Sequence, residues 1–401
     1  MRDLLRSDAK IALPTMFAAQ SIITMAAYAI PVVAPAAAPD IGIPTVFVGG
    51  FTSLVYLIAM VGGLFAGALV IRFGTVRVMQ ALLLFTAAGT AAFNLGFIAT
   101  AVFCALAIGI ATGPMNPAGS HVLARTTPPR WRAFVFSAKQ CATPMGGVLA
   151  GVVMPALLLA YDWKVAVGTI AVAAVVVTVV IQPTRTRLDV DRDRTRAVSA
   201  GSFLKPLRIA VSRADLRALA VMGYIYAGAQ VTLASYLVVF LTEQVALSIA
   251  SAGFLYAIFS GCGIPIRLFW GVIAERVMSS RAILILTGLC MAIGFTLTAW
   301  SGPRWPLAAL TAVAVLLGLS ANGWVGLFFS EIVRLVPDDQ AGEASGGGQF
   351  FTYAGIMTMP LIFGGLVVGT GEYTWSFYLL AVLCFIGALQ LLLTRPRPAP
   401  A

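Results

Sequence analysis

Gly67-Ala-Leu-Val-Ile-Arg72-Phe-Gly-Thr-Val-Arg77 and Gly271-Val-Ile-Ala-Glu275-Arg276-Val-Met-Ser-Ser-Arg281 are two versions of one pattern. Each puts a glycine near the end of an apolar run, an arginine five residues later and a second arginine five residues after that. The first copy follows the second apolar run of the chain and the second copy follows the eighth. A pattern that recurs six apolar runs apart divides the sequence into two repeats, the way many transporter folds are built.

Working outward, everything around the two copies is apolar. Of 401 residues, 60% are hydrophobic and 10% charged, and the mean hydropathy is +0.95. A soluble domain carries roughly 25% charged residues. So few charges cannot cover a water-facing surface, so lipid is the expected solvent. A hydrocarbon core of about 30 Å needs about 20 apolar residues per helix. Apolar runs between charged or Gly/Pro-rich breaks predict helices at 11–34, 43–69, 78–96, 98–125, 133–160, 164–182, 215–242, 247–273, 281–300, 304–335, 344–369 and 374–394. The expected fold is an all-α membrane protein of twelve transmembrane helices in two six-helix halves, 1–182 and 215–401, joined by a polar linker at 183–214. That linker carries Asp191-Arg192-Asp193-Arg194-Thr195-Arg196 and reads as solvated or as a surface helix. Arg2, Arg6 and Lys10 before a run ending near Ala34-Pro35-Ala36-Ala37-Ala38 imitate a signal peptide. The run is too long for one and more spans follow, so an uncleaved first helix is expected.

Basic residues set the orientation. With both termini cytoplasmic, 22 of the 26 Lys and Arg fall in cytoplasmic segments. The net charge of +11 is then topogenic. Its scatter over many segments excludes a nucleic-acid patch. An inner, plasma-type membrane and a monomer are expected. The five cysteines, all within apolar stretches, read as packing residues. No paired-Cys or HExxH metal site, no Ser/His/Asp set and no phosphate-cradling GxxxxGK[ST] loop occurs. Neither an enzyme nor a cofactor is expected, and without a soluble signalling domain a receptor ranks behind a carrier.

The two quoted loops resemble the signature of the major facilitator superfamily, Gly-x-Leu-x-Asp-Arg-x-Gly-Arg after helix two with a weaker copy after helix eight. The resemblance covers essentially the whole chain and implies a secondary transporter. In that family the loop charges lock the cytoplasmic side. Here Ile71 replaces the acid and Thr75 an arginine of the first copy, whereas the second keeps Glu275. The resemblance therefore implies a weakened first lock around Arg72 and a second lock kept by Glu275 and Arg276.

Two cations lie inside apolar spans, Arg267 and Lys139, with no acid at comparable depth. Burying a charge there costs at least about 2.5–3.5 kcal/mol. Each must therefore face the bundle interior or snorkel to the interface, and the long flexible stem of Lys139 favours snorkelling. A buried arginine is matched by a carboxylate, which it grips with two parallel hydrogen bonds. Gly263-Ile-Pro-Ile-Arg267-Leu-Phe-Trp-Gly271-Val-Ile-Ala-Glu275 also resembles the helix-eight motif of monocarboxylate transporters, in which the arginine contributes to carboxylate recognition. Gly263 stands where that family usually has an Asp, so its proton-coupling scheme does not carry over.

Other polar residues could complete a midplane site: Gln20, Ser21, Thr24 and Tyr28 on span one; Tyr224, Gln230 and Tyr236 on span seven; Tyr256 and Ser260 on span eight. Asn322 and Trp324 on span ten and Gln349 and Tyr353 on span eleven join them. Glu331, near the end of span ten, and His121, at the corresponding place in span four, are candidates for proton coupling or gating. An intramembrane acid suggests a relay and histidine titrates near neutral pH, but an ion pair of Glu331 with Arg334, Arg276 or Arg281 is the stronger expectation. The leading reading is transport of a small organic anion, a carboxylate, with proton symport as an option. Proton-coupled drug or metabolite efflux is the alternative. Antiporters of the superfamily carry Gly-Pro-x-x-Gly-Gly in helix five, and Thr143-Pro144-Met145-Gly146-Gly147 is an imperfect match.

Overall fold

A computed structural model describes residues 7–128, 131–195, 204–337 and 340–394, and every regular element among them is helical. A chain in lipid must satisfy its backbone internally, and helices do so within each segment. Twelve helical stretches are long and apolar enough to cross a membrane, in the order expected from the apolar runs. The elements are α1 (Ala9–Ile41), α2 (Val48–Phe73), α3 (Thr75–Phe93), α4 (Ile98–Thr126), α5 (Arg132–Gln140), α6 (Ala142–Ala160), α7 (Trp163–Val180), α8 (Arg185–Leu188) and α9 (Leu204–Ser212). They continue with α10 (Ala214–Glu243), α11 (Ile249–Gly261), α12 (Gly263–Arg276), α13 (Ser280–Trp300), α14 (Leu307–Ala321), α15 (Val325–Arg334), α16 (Ala341–Thr370) and α17 (Thr374–Leu393).

The largest departure from the expected spans is that three of them are interrupted. Span five divides into α5 and α6 at Cys141, span eight into α11 and α12 at Cys262, and span ten into α14 and α15 at Asn322–Trp324. A proline follows two of the interruptions by three residues, Pro144 after Cys141 and Pro265 after Cys262, so the carbonyls of Gln140 and Gly261 lose their helical donors. Glycine stands beside two of them, as Gly261 and Gly263 around Cys262 and as Gly323 between Asn322 and Trp324. Glycine weakens a helix because it loses more backbone freedom on ordering.

Two compact units are resolved, one of Met1–Pro44 with Leu54–Gly201 and one of Thr45–Ser53 with Ser202–Ala401. The first turn of α2 therefore groups with the second unit, where Thr52 and Ser235 share a hydrogen bond at 2.8 Å and the Tyr236 hydroxyl donates to the Val46 carbonyl at 2.7 Å. The core of the first unit is an apolar cluster that includes Met16, Ile23, Met79, Leu83, Met115 and Val122. In the second unit α10 and α16 meet backbone to backbone, since a Cβ on Gly355 would overlap the Tyr224 carbonyl. Such small-residue contacts replace the hydrophobic drive that lipid does not supply.

The linker is not simply solvated. After α8, residues 189–195 lie along the first unit. The Asp189 carboxylate accepts from Val76 N at 2.7 Å and Arg77 N at 3.3 Å, so it caps the start of α3, where a carboxylate complements the helix dipole. Asp193 N donates to the Ile71 carbonyl at 2.7 Å. Gly74 has φ +91°, and a Cβ there would strike the Asp189 carboxylate; the glycine is required twice over. An acid from the linker thus occupies the loop whose own acid position is Ile71.

Candidate functional site

Interrupted membrane helices free backbone groups that a side chain or a ligand must satisfy. In the second unit, the interruptions of spans eight and ten come together. Arg267, on the second turn of α12 and half-buried, donates Nε–H to the Asn322 carbonyl at 3.1 Å. The Asn322 side chain is fixed on three sides: Nδ2 donates to the carbonyls of Phe259 (3.0 Å) and Gly318 (3.1 Å), and Oδ1 accepts from Gln230 Nε2 (2.9 Å). Gln230 Oε1 in turn accepts from Trp324 Nε1 at 3.0 Å. Asn322, Gln230 and Trp324 are all buried, and their bonds leave each amide only one orientation.

Trp270, which sequence reasoning missed, completes the junction. It lies three residues after Arg267, hence on the same side of α12. Its indole ring packs on Gly323, where a Cβ would lie 2.5 Å from Cδ1 and 2.7 Å from Nε1. The Trp270 Nε1–H is buried with no hydrogen-bond partner among the described residues. Buried donors without acceptors are rare and call for an explanation. The signal was present, in an indole N–H one turn from a buried arginine.

In the first unit Lys139 does not snorkel. It is 1% exposed, and Nζ donates to Asn116 Oδ1 at 2.7 Å and to the Asn116 carbonyl at 3.2 Å. The stem runs inward because Gly119 leaves room for it: a Cβ at that glycine would lie 2.9 Å from Lys139 Cε. Gln20 is fully buried on α1 and donates to Thr143 Oγ1 at 3.0 Å. Gln20 Oε1 and Thr24 Oγ1 are buried without partners among the described residues. Gly146, in the stretch that imitates the antiporter motif, lets α6 close on α1; a Cβ there would lie 2.7 Å from the Ser21 carbonyl.

The remaining expected site residues disperse. Tyr28 is half-buried further along α1. Tyr224 shares a hydrogen bond with Thr358 at 2.5 Å and ties α10 to α16. Tyr236 bonds the Val46 and Pro360 carbonyls. Tyr256 is buried with its ring 6.1 Å from that of Phe259, and Ser260 is buried beside it. Gln349 donates to Thr352 within α16, and Tyr353 is half-buried there.

The charged candidates form clusters near one end of each unit. Glu331, 1% exposed, accepts two hydrogen bonds from Arg334 at 2.7 and 2.9 Å, and Arg281 Nη1 lies 3.8 Å away. His121 Nε2 is 2.7 Å from Asp191 Oδ2, and Arg125 is 3.2 Å from the same carboxylate. Arg72 lies over the Phe73 ring at 5.5 Å. Glu275 and Arg276 close α12, but their side chains lie outside the described residues. No group of three or more His, Cys, Asp or Glu able to hold a metal ion occurs among the described residues.

Comparison with known proteins places this architecture. The structure superposes on a variant of the peptide transporter POT in complex with sulfate with a TM-score of 0.76 at 15% identity, covering 95% of this chain and 93% of the other. A POT family transporter in complex with 5-aminolevulinic acid gives 0.72 at 12% identity, covering 95% of each chain. The human organic anion transporter MFSD10 (TETRAN) gives 0.70 at 18% identity, covering 96% of this chain and 99% of that one. By sequence, no curated relative matches. The model of the Major Facilitator Superfamily matches residues 16–360. Twelve apolar helices, the repeated loop and that match together establish that the chain is a multi-pass membrane protein belonging to the major facilitator superfamily of transporters.

Proposed function

We propose that this transporter carries a small organic anion, a carboxylate, by alternating access, with Arg267 as the anchor. The observation that carries the reading is the junction of α12 with the Asn322–Trp324 interruption. There the buried Trp270 indole N–H, without an acceptor among the described residues, stands one turn from the Arg267 guanidinium. A carboxylate has the lone pairs to accept from the indole and the guanidinium together. The solved transporters support the fold alone; the cargo reading rests on Arg267 and Trp270.

Two acids of the spanning helices are engaged elsewhere. Glu331 is held by Arg334 and Arg281, and Glu243 accepts from Thr45 and Tyr373. For Glu331 and His121 this supports a clasp at the basic end of the molecule rather than a proton relay at the cargo. That end is cytoplasmic in our reading, with both termini on that side of an inner, plasma-type membrane. In proteoliposomes, Arg267→Gln is expected to abolish uptake of carboxylates while leaving folded yield unchanged. Uptake equal to wild type would remove Arg267 from the mechanism.

A further inference from the structure

The first unit contains a groove of about 900 Å³ that the transport reading does not use. Its walls come from three spans: Ile58, Phe65 and Leu69 on α2, Phe85 on α3, and Ile110 and Pro114 on α4. At one end it is lined by five arginines, Arg72, Arg77, Arg185, Arg192 and Arg194, and none of its lining residues is acidic.

The arginines are gathered by the docked linker. Residues 189–195 pass the start of α3 and the end of α4 as a bend and turns, with only residues 192 and 193 outside them. Asp189 and Asp191 turn inward, to the start of α3 and to His121 and Arg125. The Asp193 N–H fixes the segment to the Ile71 carbonyl. Arg192 and Arg194 are thereby delivered to the groove, opposite Arg72 from the end of α2 and Arg77 from the start of α3. Asp189 lies 4.0 Å from Arg185, and an anion among the arginines would offset the positive charge that remains.

We propose that the groove binds a glycerophospholipid with an anionic headgroup, its phosphate among the five arginines and an acyl chain along the apolar walls. Length supports a lipid over a free anion. Ile58 and Arg72 are fourteen residues apart on one helix, about 21 Å at 1.5 Å per residue. That spans one leaflet of a hydrocarbon core about 30 Å thick plus its headgroup layer. The basic end also falls where the charge asymmetry puts the cytoplasm, whose leaflet carries the anionic lipid. The proposal is independent of what the transporter carries.

The test is native mass spectrometry of the full chain after delipidation, with phosphatidylglycerol or phosphatidylcholine added back. Wild type is expected to retain phosphatidylglycerol in preference. Arg192→Gln with Arg194→Gln should weaken that retention roughly 30-fold, about fivefold per arginine. Both residues lie outside the spans, and an unchanged melting temperature in detergent would verify folding. Arg187→Gln with Arg208→Gln, a pair of basic residues away from the groove, should retain the lipid as wild type does. Equal retention of the two lipids, an equal loss in the two double variants, or displacement by inorganic phosphate would each overturn the proposal, the last by showing a soluble-anion site.

Discussion

The ammonium of Lys139 lies 2.7 Å from Oδ1 of Asn116, with the lysine 1% exposed. A buried lysine is thus held by a neutral amide inside the first unit.

That pair makes a double-mutant cycle informative. Lys139→Met leaves a buried Asn oxygen without its donor and should cost about 1–3 kcal/mol. Asn116→Leu strands the ammonium and should cost about 3 kcal/mol or more. Joined, the two changes should come within about 1.5 kcal/mol of wild type, as a volume-conserving apolar swap does. Thermal melts in detergent read all three; strictly additive losses would show that the two side chains are not coupled.

Trp270→Phe separates a binding role from a packing role by its sign. The substitution removes an orphaned buried donor and keeps the ring against Gly323. Without ligand, the variant should melt at or above the wild-type temperature. Carboxylate affinity should nevertheless fall about 10- to 100-fold, the worth of one hydrogen bond to a charged acceptor. Lower stability with unchanged affinity would mark the indole as structural.

At Glu331 the prediction is an ordering. Glu331→Gln leaves the buried Arg281 without its carboxylate and should destabilise by about 3 kcal/mol or more. Arg334→Gln removes both hydrogen bonds to a carboxylate that is 1% exposed, but Arg281 remains at 3.8 Å, so it should cost less, about 1–3 kcal/mol. A clasp of this kind leaves the pH dependence of uptake in place. If Glu331→Gln removed the pH dependence and left stability alone, the residue would be a proton carrier.

Asp189 sets a pH dependence of stability. Burial raises its carboxyl above the ordinary value of 3.8, outweighing the amides of Val76 and Arg77 and the charge of Arg185, which pull it down. A carboxyl whose folded pKa exceeds its unfolded one favours folding when protonated. Its contribution is full below the unfolded value and is lost as pH rises through the folded one. The melting temperature of wild type minus that of Asp189→Asn should therefore be largest near pH 4 and shrink above it. A difference that grows with pH would mean that the two amide bonds dominate.

The spans were legible because hydropathy reports the solvent directly: about 20 apolar residues can only be a crossing. The repeat was legible in the loops at Arg72 and Arg276. The interruptions were not, since Cys141, Cys262 and Asn322 sit in runs as apolar as any helix; the signals were Pro144 and Pro265, three residues past two of the breaks, and membrane helices often tolerate such prolines. The depth of Lys139 was hidden for a different reason. Snorkelling depends on the facing surface, and only the space left by Gly119 turns the stem inward. Asp189 was invisible as the partner of α3 because the linker alternates acid and base, a composition that suits water as well as docking. Of the site, Arg267, Gln230 and Asn322 were on the page as separate polar residues; what joins them is the three-dimensional meeting of two interruptions.

The central claim is that Arg267 holds an anionic cargo, and ligand-dependent thermal stabilisation of the purified protein tests it most directly. A ligand that binds only the native state stabilises it by about 2.7 kcal/mol at one hundred times its dissociation constant. Against a panel of small carboxylates and their amides, the wild type should be stabilised by carboxylates alone, Arg267→Lys weakly and Arg267→Gln not at all. Stabilisation of Arg267→Gln by the same carboxylates at the same concentrations would contradict the account.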